Sequence, residues 1–455
     1  LGKTSFGILA ASDNAPGNYA ENDRNDLNVR PRIDEFIGKN ALFGILRLKR
    51  DFGSENNIGF FGTYRTFPEQ KNLVGGFDGR LKINPKMTST FQIVGTTSKR
   101  CFFDAEFEPA IDPGQAAINS ATCGGGTFGG VTLTGSPYNQ YKIGNGIGYY
   151  ANLDYTSDQH GWFVEAGGRT KYYRADSGFT RRTDSHFLFF FNRFSTKSKP
   201  NAKLIRGQWA QMSGLNYDGL GRLQSWRAET NFNLTLQKNT YLFLGGGTSK
   251  EKIYEEEFGL KRSPTRPVGT FLGEPFRETW QQWASANINQ TPSKRFNYGL
   301  FVGAINNSFD FFYFDPVTGL QNPGPGLQLD AEVYLEVKPI DPFRVSMSYN
   351  KSRLSRKDNH ARSFDSDIVS IRSTYQFTRF LFTRFRLDYE GTAKNFAGQI
   401  LVGWTPSPGT AFYAGYNDDL NRNGFNRFNG QFEPGFHRNS RTFFIRASYL
   451  FRKSF

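Results

Sequence analysis

The residues with the clearest capacity for chemistry are charges that recur at every second position. In the stretch Leu381–Glu390, Arg384, Arg386, Asp388 and Glu390 share one parity, and Phe385, Leu387 and Tyr389 share the other. Arg372, Arg227, Glu229, Asp330, Glu332 and Glu336 occupy equivalent polar positions elsewhere. Alternate residues of an extended chain project to one side, so each set makes a row of charge on one face. Facing rows of opposite sign would form ion-pair ladders that stiffen a sheet. They would equally set an electrostatic path for charged solutes, and both roles stay open at this level.

Little else offers chemistry. Asp419, Asn421 and Asn423, followed by Gly424, match the first half of a calcium loop, with oxygen ligands at alternate positions and a turn glycine. The twelfth position is Gly430 rather than a bidentate Glu, and Arg422 and Arg427 add repulsion, so a polar hairpin loop is the favoured reading. The four histidines, His160, His186, His360 and His437, each sit in or beside an expected turn or loop. No HExxH, Walker A, GxSxG or CxxC motif occurs, and neither an enzyme nor a cofactor is expected. The glycine-rich run 124–130 follows no strand-to-helix pattern and reads as a flexible loop. Cys101 and Cys123 are the only cysteines; in an exported chain they are expected to form a disulfide within one long loop.

The charged rows need long strands to carry them. In residues 326–350, Leu327, Leu329, Ala331, Val333, Leu335 and Val337 alternate with Gln328, Asp330, Glu332, Tyr334, Glu336 and Lys338. A period of two marks a strand with one apolar and one wet face. Pro339 and Pro342 then enclose a turn, and the alternation restarts with Phe343, Val345, Met347 and Tyr349. Ordinary strands hold about five or six residues. A tilted strand crossing a bilayer needs about 9–11, so this pair reads as a transmembrane hairpin.

Composition agrees. Of 455 residues only 37% are hydrophobic, and mean hydropathy is -0.56. No run of 18 apolar residues occurs, which excludes a helical membrane protein. A barrel is hydrophilic on average because every second strand residue faces its lumen, and 47 Phe, 21 Tyr and 6 Trp suit its aromatic girdles. The formal charge of +15 is scattered along strands rather than clustered, so nucleic acid is not an expected partner.

Strand-like segments recur throughout: 5–11, 41–50, 58–67, 73–83, 88–99, 147–156, 162–173, 186–194, 204–217, a pair about residues 237–239, 280–289, 297–309, the opening hairpin, 367–378, 381–390, 399–405, 411–416 and 441–455. The expected fold is all-β, one transmembrane antiparallel β-barrel over residues 1–455 with about 20 strands. Short turns would be periplasmic and long loops, chiefly 100–145 and 249–277, extracellular, with the C-terminus periplasmic. Leu1 is not an initiator methionine and strand-like sequence begins at once, so an upstream export signal is expected outside this sequence. The closing segment places Phe443, Ile445, Ala447, Tyr449, Phe451 and Phe455 on one parity. It looks like a C-terminal outer-membrane assembly signal, with Tyr449, Phe451 and Phe455 as its aromatic elements.

Four segments carry a closer likeness: residues 40–84, 374–390 (TYQFTRFLFTRFRLDYE), 416–424 (YNDDLNRNG) and 441–452 (RTFFIRASYLFR). They resemble the C-terminal barrel region of a large bacterial outer-membrane family of unknown function, whose members often carry an N-terminal carbohydrate-binding-module-like domain of the family 9 type. That module has no counterpart in this sequence, and the family supplies no catalytic residues. A barrel of this size, with charged residues facing its lumen, is expected to serve solute passage or export across the outer membrane. The rival expectation is a non-conducting anchor for such a module or for surface proteins. Expected partners are outer-membrane lipid and lipopolysaccharide, the barrel-assembly machinery, and a protein partner or plug in the lumen.

Overall fold

A computed structural model describes the chain except residues 1–2, 20–23, 26–29, 124–126, 129–130, 133–137, 179, 181, 423–424, 427–430, 433–434 and 451–455. Twenty strands form one antiparallel sheet. They are β1 (Thr4–Asp13), β2 (Ala41–Phe52), β3 (Asn56–Phe67), β4 (Gln70–Asn84), β5 (Met87–Phe103), β6 (Asn139–Thr156), β7 (His160–Arg169), β8 (Ser185–Ser195), β9 (Leu204–Tyr217) and β10 (Leu223–Leu236). The series continues with β11 (Thr240–Tyr254), β12 (Phe276–Ser293), β13 (Phe296–Asp310), β14 (Gly324–Ile340), β15 (Phe343–Arg356), β16 (Arg362–Gln376), β17 (Leu381–Glu390), β18 (Asn395–Ser407), β19 (Thr410–Asn421) and β20 (His437–Tyr449). Each strand pairs with the next in sequence. No described pairing joins β1 to β20, whose side chains are exposed on both faces. Backbone left unpaired in lipid costs several kcal/mol per group (about the scale of a lost hydrogen bond in hydrocarbon), so this seam is where a membrane wall must close.

The packing is inverted relative to a water-soluble sheet. On β14 the apolar parity, Leu327, Leu329, Val333, Leu335 and Val337, is exposed, while Glu336 on the polar parity is only 7% exposed. The same holds on β4, where Leu73, Phe77 and Leu81 are exposed and Asn72 and Val74 are buried. Apolar side chains therefore face outward and polar ones converge on the inner face, which is the arrangement of a barrel in lipid. Strands run from 10 to 18 residues, enough to cross at a tilt.

Connections differ sharply between the two ends. At one end the turns are short, including 85–86, 237–239, 294–295, 341–342 and 408–409. Lys238 and Asn239 both have positive φ, 57° and 50°, the signature of a tight hairpin turn whose twist matches its strands. Pro408 and Gly409 (φ 86°) make the Pro-Gly turn between β18 and β19. Aromatic pairs gather near this end: Phe194 stacks on Trp209 at 6.0 Å, Trp209 on Phe232 at 6.5 Å, and Trp404 on Phe412 at 5.4 Å. Such outward ladders across neighbouring strands are the girdle expected at a membrane interface.

The other end carries the long connections: 14–40, 104–138, 170–184, 255–275, 311–323 and 422–436. Four connections there are short instead (68–69, 218–222, 357–361 and 391–394), so the alternation of short and long is incomplete. The expected loop 100–145 shrinks to 104–138 because β5 and β6 stay paired as far as Phe103 and Asn139. Inside it lies an unexpected helix, Pro113–Thr122, whose N-terminus is capped by Asp112 accepting from the Gln115 amide. A disulfide joins Cys101 to Cys123, with Cα atoms 5.7 Å apart, and so ties the end of β5 to the end of that helix.

Candidate functional site

The inner face carries the charged rows. Arg227 pairs with Glu229 and Arg386 with Asp388, each two residues along the same strand. Glu336 accepts from Arg344 across the β14–β15 pair and from the Tyr334 hydroxyl at 2.9 Å. Asp330 accepts from Gln328 at 2.9 Å, and Glu332 is exposed. Pairs across neighbouring strands, such as Arg344 with Glu336, Lys351 with Asp367 at 2.8 Å and Arg438 with Asp418 at 2.8 Å, thus stand beside pairs within a strand, where residues i and i+2 share a face. Arg372 lies opposite Arg386 in register, and Arg384 covers the Phe382 ring at 4.7 Å. Together these arginines make a hydrated basic strip on β16 and β17, all three exposed.

The expected polar hairpin loop at the calcium candidates is corrected by strand pairing. Asp419 and Asn421 lie on β19 in register with Ser440 and His437, where a hairpin loop was expected. Their side chains meet Asn395 at 2.8 Å and Asn439 respectively, and Asn423 lies outside the described residues. Among the described residues no group of three or more His, Cys, Asp or Glu is placed to hold a metal. His160 opens β7 and bonds Asn192 at 3.0 Å, and His186 meets the Tyr149 hydroxyl at 3.0 Å. Of the assembly-signal residues, Tyr449 ends β20, while Phe451 and Phe455 lie outside the described residues.

The feature that strand reading missed is an inward-folded segment. The strand expected to reach Tyr173 ends at Arg169, and the following residues turn onto the inner faces of β4, β5 and β6. Asn72, fully buried, donates to the Arg174 carbonyl at 3.0 Å and accepts from the Asp176 amide at 3.1 Å. Thr96 accepts from the Arg174 amide at 3.3 Å. Tyr173 packs with Val74 and Val94. Gly144, Gly146 and Gly148 of β6 make room: a Cβ on Gly146 would sit 2.3 Å from the Tyr173 Cα. Three glycines at alternate positions on the inner parity were the available signal.

This segment brings charge with it. Asp176 receives Arg100 at 3.1 Å and Arg65 at 3.8 Å, both from inner faces of the wall. Arg174 makes no ion pair or side-chain hydrogen bond to a described residue. Burial first and then the neighbouring Arg100 push its guanidinium down from the usual range, against a smaller opposing pull from Asp176. Beside it a cavity of about 420 Å³ opens among the ends of β5, β10 and β11 and the 170–184 and 218–222 connections.

The roof beyond is held by buried charge. Glu255, fully buried, accepts from Arg262 through the Arg262 amide at 2.8 Å and its guanidinium at 2.9 and 3.0 Å. Burial alone would raise the Glu255 carboxyl, but the Arg262 hydrogen bonds hold it below the usual carboxylate range. The clamped loop then grips its counterpart: Lys261 pairs with Glu106 at 2.8 Å, and Arg266 donates to the Ala105 carbonyl at 2.9 Å. Strands β5 and β11 are far apart along the sheet, so these contacts require the wall to curl. On the far side Arg356, 2% exposed, binds Asp310 at 3.3 Å, Asp358 and the Asn322 carbonyl at 3.0 Å.

No family model matches the chain. No curated protein matches it either. Solved structures do. The copper transporter OprC is similar over 90% of this chain and 72% of its own, at 10% identity and a TM-score of 0.56. A mutant of the ferric enterobactin receptor PfeA from Pseudomonas aeruginosa, in complex with enterobactin, is similar over 97% of this chain and 72% of its own, at 9% identity and a TM-score of 0.50. The fold is that of outer-membrane receptor barrels.

Proposed function

We propose that this chain is a bacterial outer-membrane barrel that passes a solute across the membrane. In this reading the long connections face outward and the turns and C-terminus face the periplasm. It is the barrel region of the family its sequence resembles. The observation that carries the reading is the hydrated inner face: the side chains of Arg227, Arg344 and Arg386 are 53%, 57% and 45% exposed while the opposite parity is apolar. Charge kept wet inside an apolar wall suits a conducting path better than a structural plug. The solved transporters and receptors of like fold support the same direction. Lipid and lipopolysaccharide would contact the apolar parity, and the barrel-assembly machinery would receive β20 through Tyr449, Phe451 and Phe455. Whether a protein partner or plug enters the lumen is a matter for the same test. Purified barrel in a planar bilayer should give steady conductance; silence from folded barrels overturns the reading. A tag within 255–275 should be reachable on intact cells and one at 237–239 should not.

One observation favours the anchoring alternative. The connection 311–323 exposes Phe312 (84%) and Val317 (91%) well beyond the wall. Apolar tips of this kind suit a surface partner or the carbohydrate-binding module of the resembled family. Silence in the bilayer, with lost surface binding after Phe312→Ser, would select that role.

A further inference from the structure

We infer that the cavity beside the inward-folded segment is a binding site for a small anionic solute, with its acid group on Arg174 and Lys171. This rests on the transport reading and names the chemical class of its cargo.

The argument is one of charge accounting. Of the five acidic residues lining the cavity four are held by a cation, Arg222 serving both Asp218 and Glu256, and Asp184 has no ion pair among the described residues. Asp218 accepts from the Leu220 and Arg222 amides at 3.0 and 2.8 Å and from the Arg222 guanidinium at 2.6 Å. Glu256 holds Arg222 at 2.8 Å, Glu257 pairs with Arg182, and Glu106 holds Lys261. Asp184 accepts from the Gly219 amide at 3.2 Å. Two cations are left. Arg174 has no ion pair among the described residues, and Lys171, half exposed, reaches Asp104 only at 4.0 Å. Asp104 is itself shared with Lys142 at 3.4 Å.

The site is also built rather than incidental. Asn72 and Thr96 fix the backbone of residue 174 from two strands, so the guanidinium is presented from a rigid support. Arg65 and Arg100 stand behind it with one carboxylate, Asp176, between them. Around Arg174, which lines the cavity, three guanidinium groups thus share the one carboxylate of Asp176. Tyr172, edge-on to Phe102 at 5.3 Å, and Phe103 supply apolar surface for the body of the ligand. A volume near 420 Å³ suits a small organic molecule. A phosphate or carboxylate would complete the two cations, whether it comes from a soluble molecule or from a lipid headgroup. The cavity adjoins the segment on the inner faces of β4, β5 and β6, away from the lipid-facing parity, which favours the soluble source.

The test is calorimetric binding to folded barrel in detergent, independent of conductance. Glucose 6-phosphate and glucose are the matched probes, with lipid A in mixed micelles as the third. Glucose 6-phosphate should bind and glucose should not. Arg174→Ala should weaken binding about 10- to 100-fold, the span of a lost charge-assisted hydrogen bond. Lys171→Ala should weaken it less, and Lys86→Ala, in a turn at the opposite end, should leave it unchanged. Equal binding of glucose, or wild-type affinity in both cavity variants, overturns the inference, and binding of lipid A alone overturns the soluble source. Conductance without binding would leave transport standing and remove this site; binding without conductance would do the reverse.

Discussion

The inner wall of the barrel is treated in opposite ways on its two sides. Under the 170–178 segment the inward residues of β4, β5 and β6 are mostly small or neutral, Asn72, Val74, Val94, Thr96, Gly144 and Gly146, and the charges beside them, Arg65 and Arg100, meet Asp176 of the segment. Along β14 to β17 the inward residues are Asp330, Glu336, Arg372, Arg384 and Arg386, and no described segment covers them. The difference follows from desolvation. Covering a glycine or valine face removes little hydration, and Asn72 regains its hydrogen bonds from the incoming backbone. Covering a charged strip would strip water from ions that have few partners, at several kcal/mol each by order of magnitude. The segment therefore lies where the inner wall is mostly uncharged and where it brings its own carboxylate, Asp176, to the arginines it covers.

The largest test removes the asymmetry. Gly146→Val places a branched side chain where a Cβ already meets the Tyr173 backbone at 2.3 Å. Backbone on that side cannot yield by a rotamer change, so the segment should leave the wall. Protease access within 170–184 should appear in the variant and be absent in the wild type. If the barrel conducts, its unit conductance should rise several-fold. A segment that stays protected would mean that the wall, not the segment, adapts.

Next comes the outer face, which the bare side depends on. Leu335→Arg should destabilise the folded barrel by about 2–4 kcal/mol if that parity lies at mid-membrane. Glu336→Gln, one residue along, keeps the Tyr334 contact and loses charge against Arg344 and Lys338, both well exposed. Its cost should stay below about 1 kcal/mol. Urea titration in lipid vesicles compares the two; equal losses would mean that the two faces are not lipid and water.

The covered side is also roofed, and its clamp has a pH signature. Glu255→Ala strands Arg262, and with Arg262 partly exposed the loss should be about 2 kcal/mol, read as faster hydrogen exchange over 255–275. Because the folded Glu255 carboxyl is held below its unfolded value, its stabilisation is complete above that unfolded value, about 4.3. It is lost as pH falls through the depressed folded value. Protection of 255–275 should thus hold from neutral pH to mildly acidic conditions and fall only in stronger acid.

Much of the wall was legible in the sequence because its period of two is a local property. Leu204–Tyr217 and Leu381–Glu390 coincide with the expected strands, and the parity of Leu335 against Glu336 is as read. The site was less legible because it is made by loops that meet across the sheet. Nothing in the order of residues brings Lys261 to Glu106, or Arg174 to Asn72. Periodicity also misled at residues 170–173, where aromatic residues continue the strand pattern but pack on the inner wall. The helix at Pro113–Thr122 did carry a local signal, Asp112 before Pro113, hidden inside what read as a featureless loop.

The smallest expected effect concerns the basic strip of the bare side. Arg384 and Arg386 are exposed, Arg372 lies opposite Arg386, and Asp388 is the nearest counter-charge, paired with Arg386. The local balance is positive, as is the net charge of +15. An open path should therefore favour anions, but weakly. Water of high dielectric and salt with a Debye length of about 8–10 Å screen a strip on one side of a wide lumen. Arg384→Glu with Arg386→Glu should shift the reversal potential under a salt gradient toward cations without changing fold or unit conductance greatly. It should move selectivity less than Arg174→Ala does, because Arg174 stands on a segment that narrows the path while the strip lies on an open wall. If the strip pair shifts selectivity more, the bare side is the narrow one, and the comparison between the two walls is reversed.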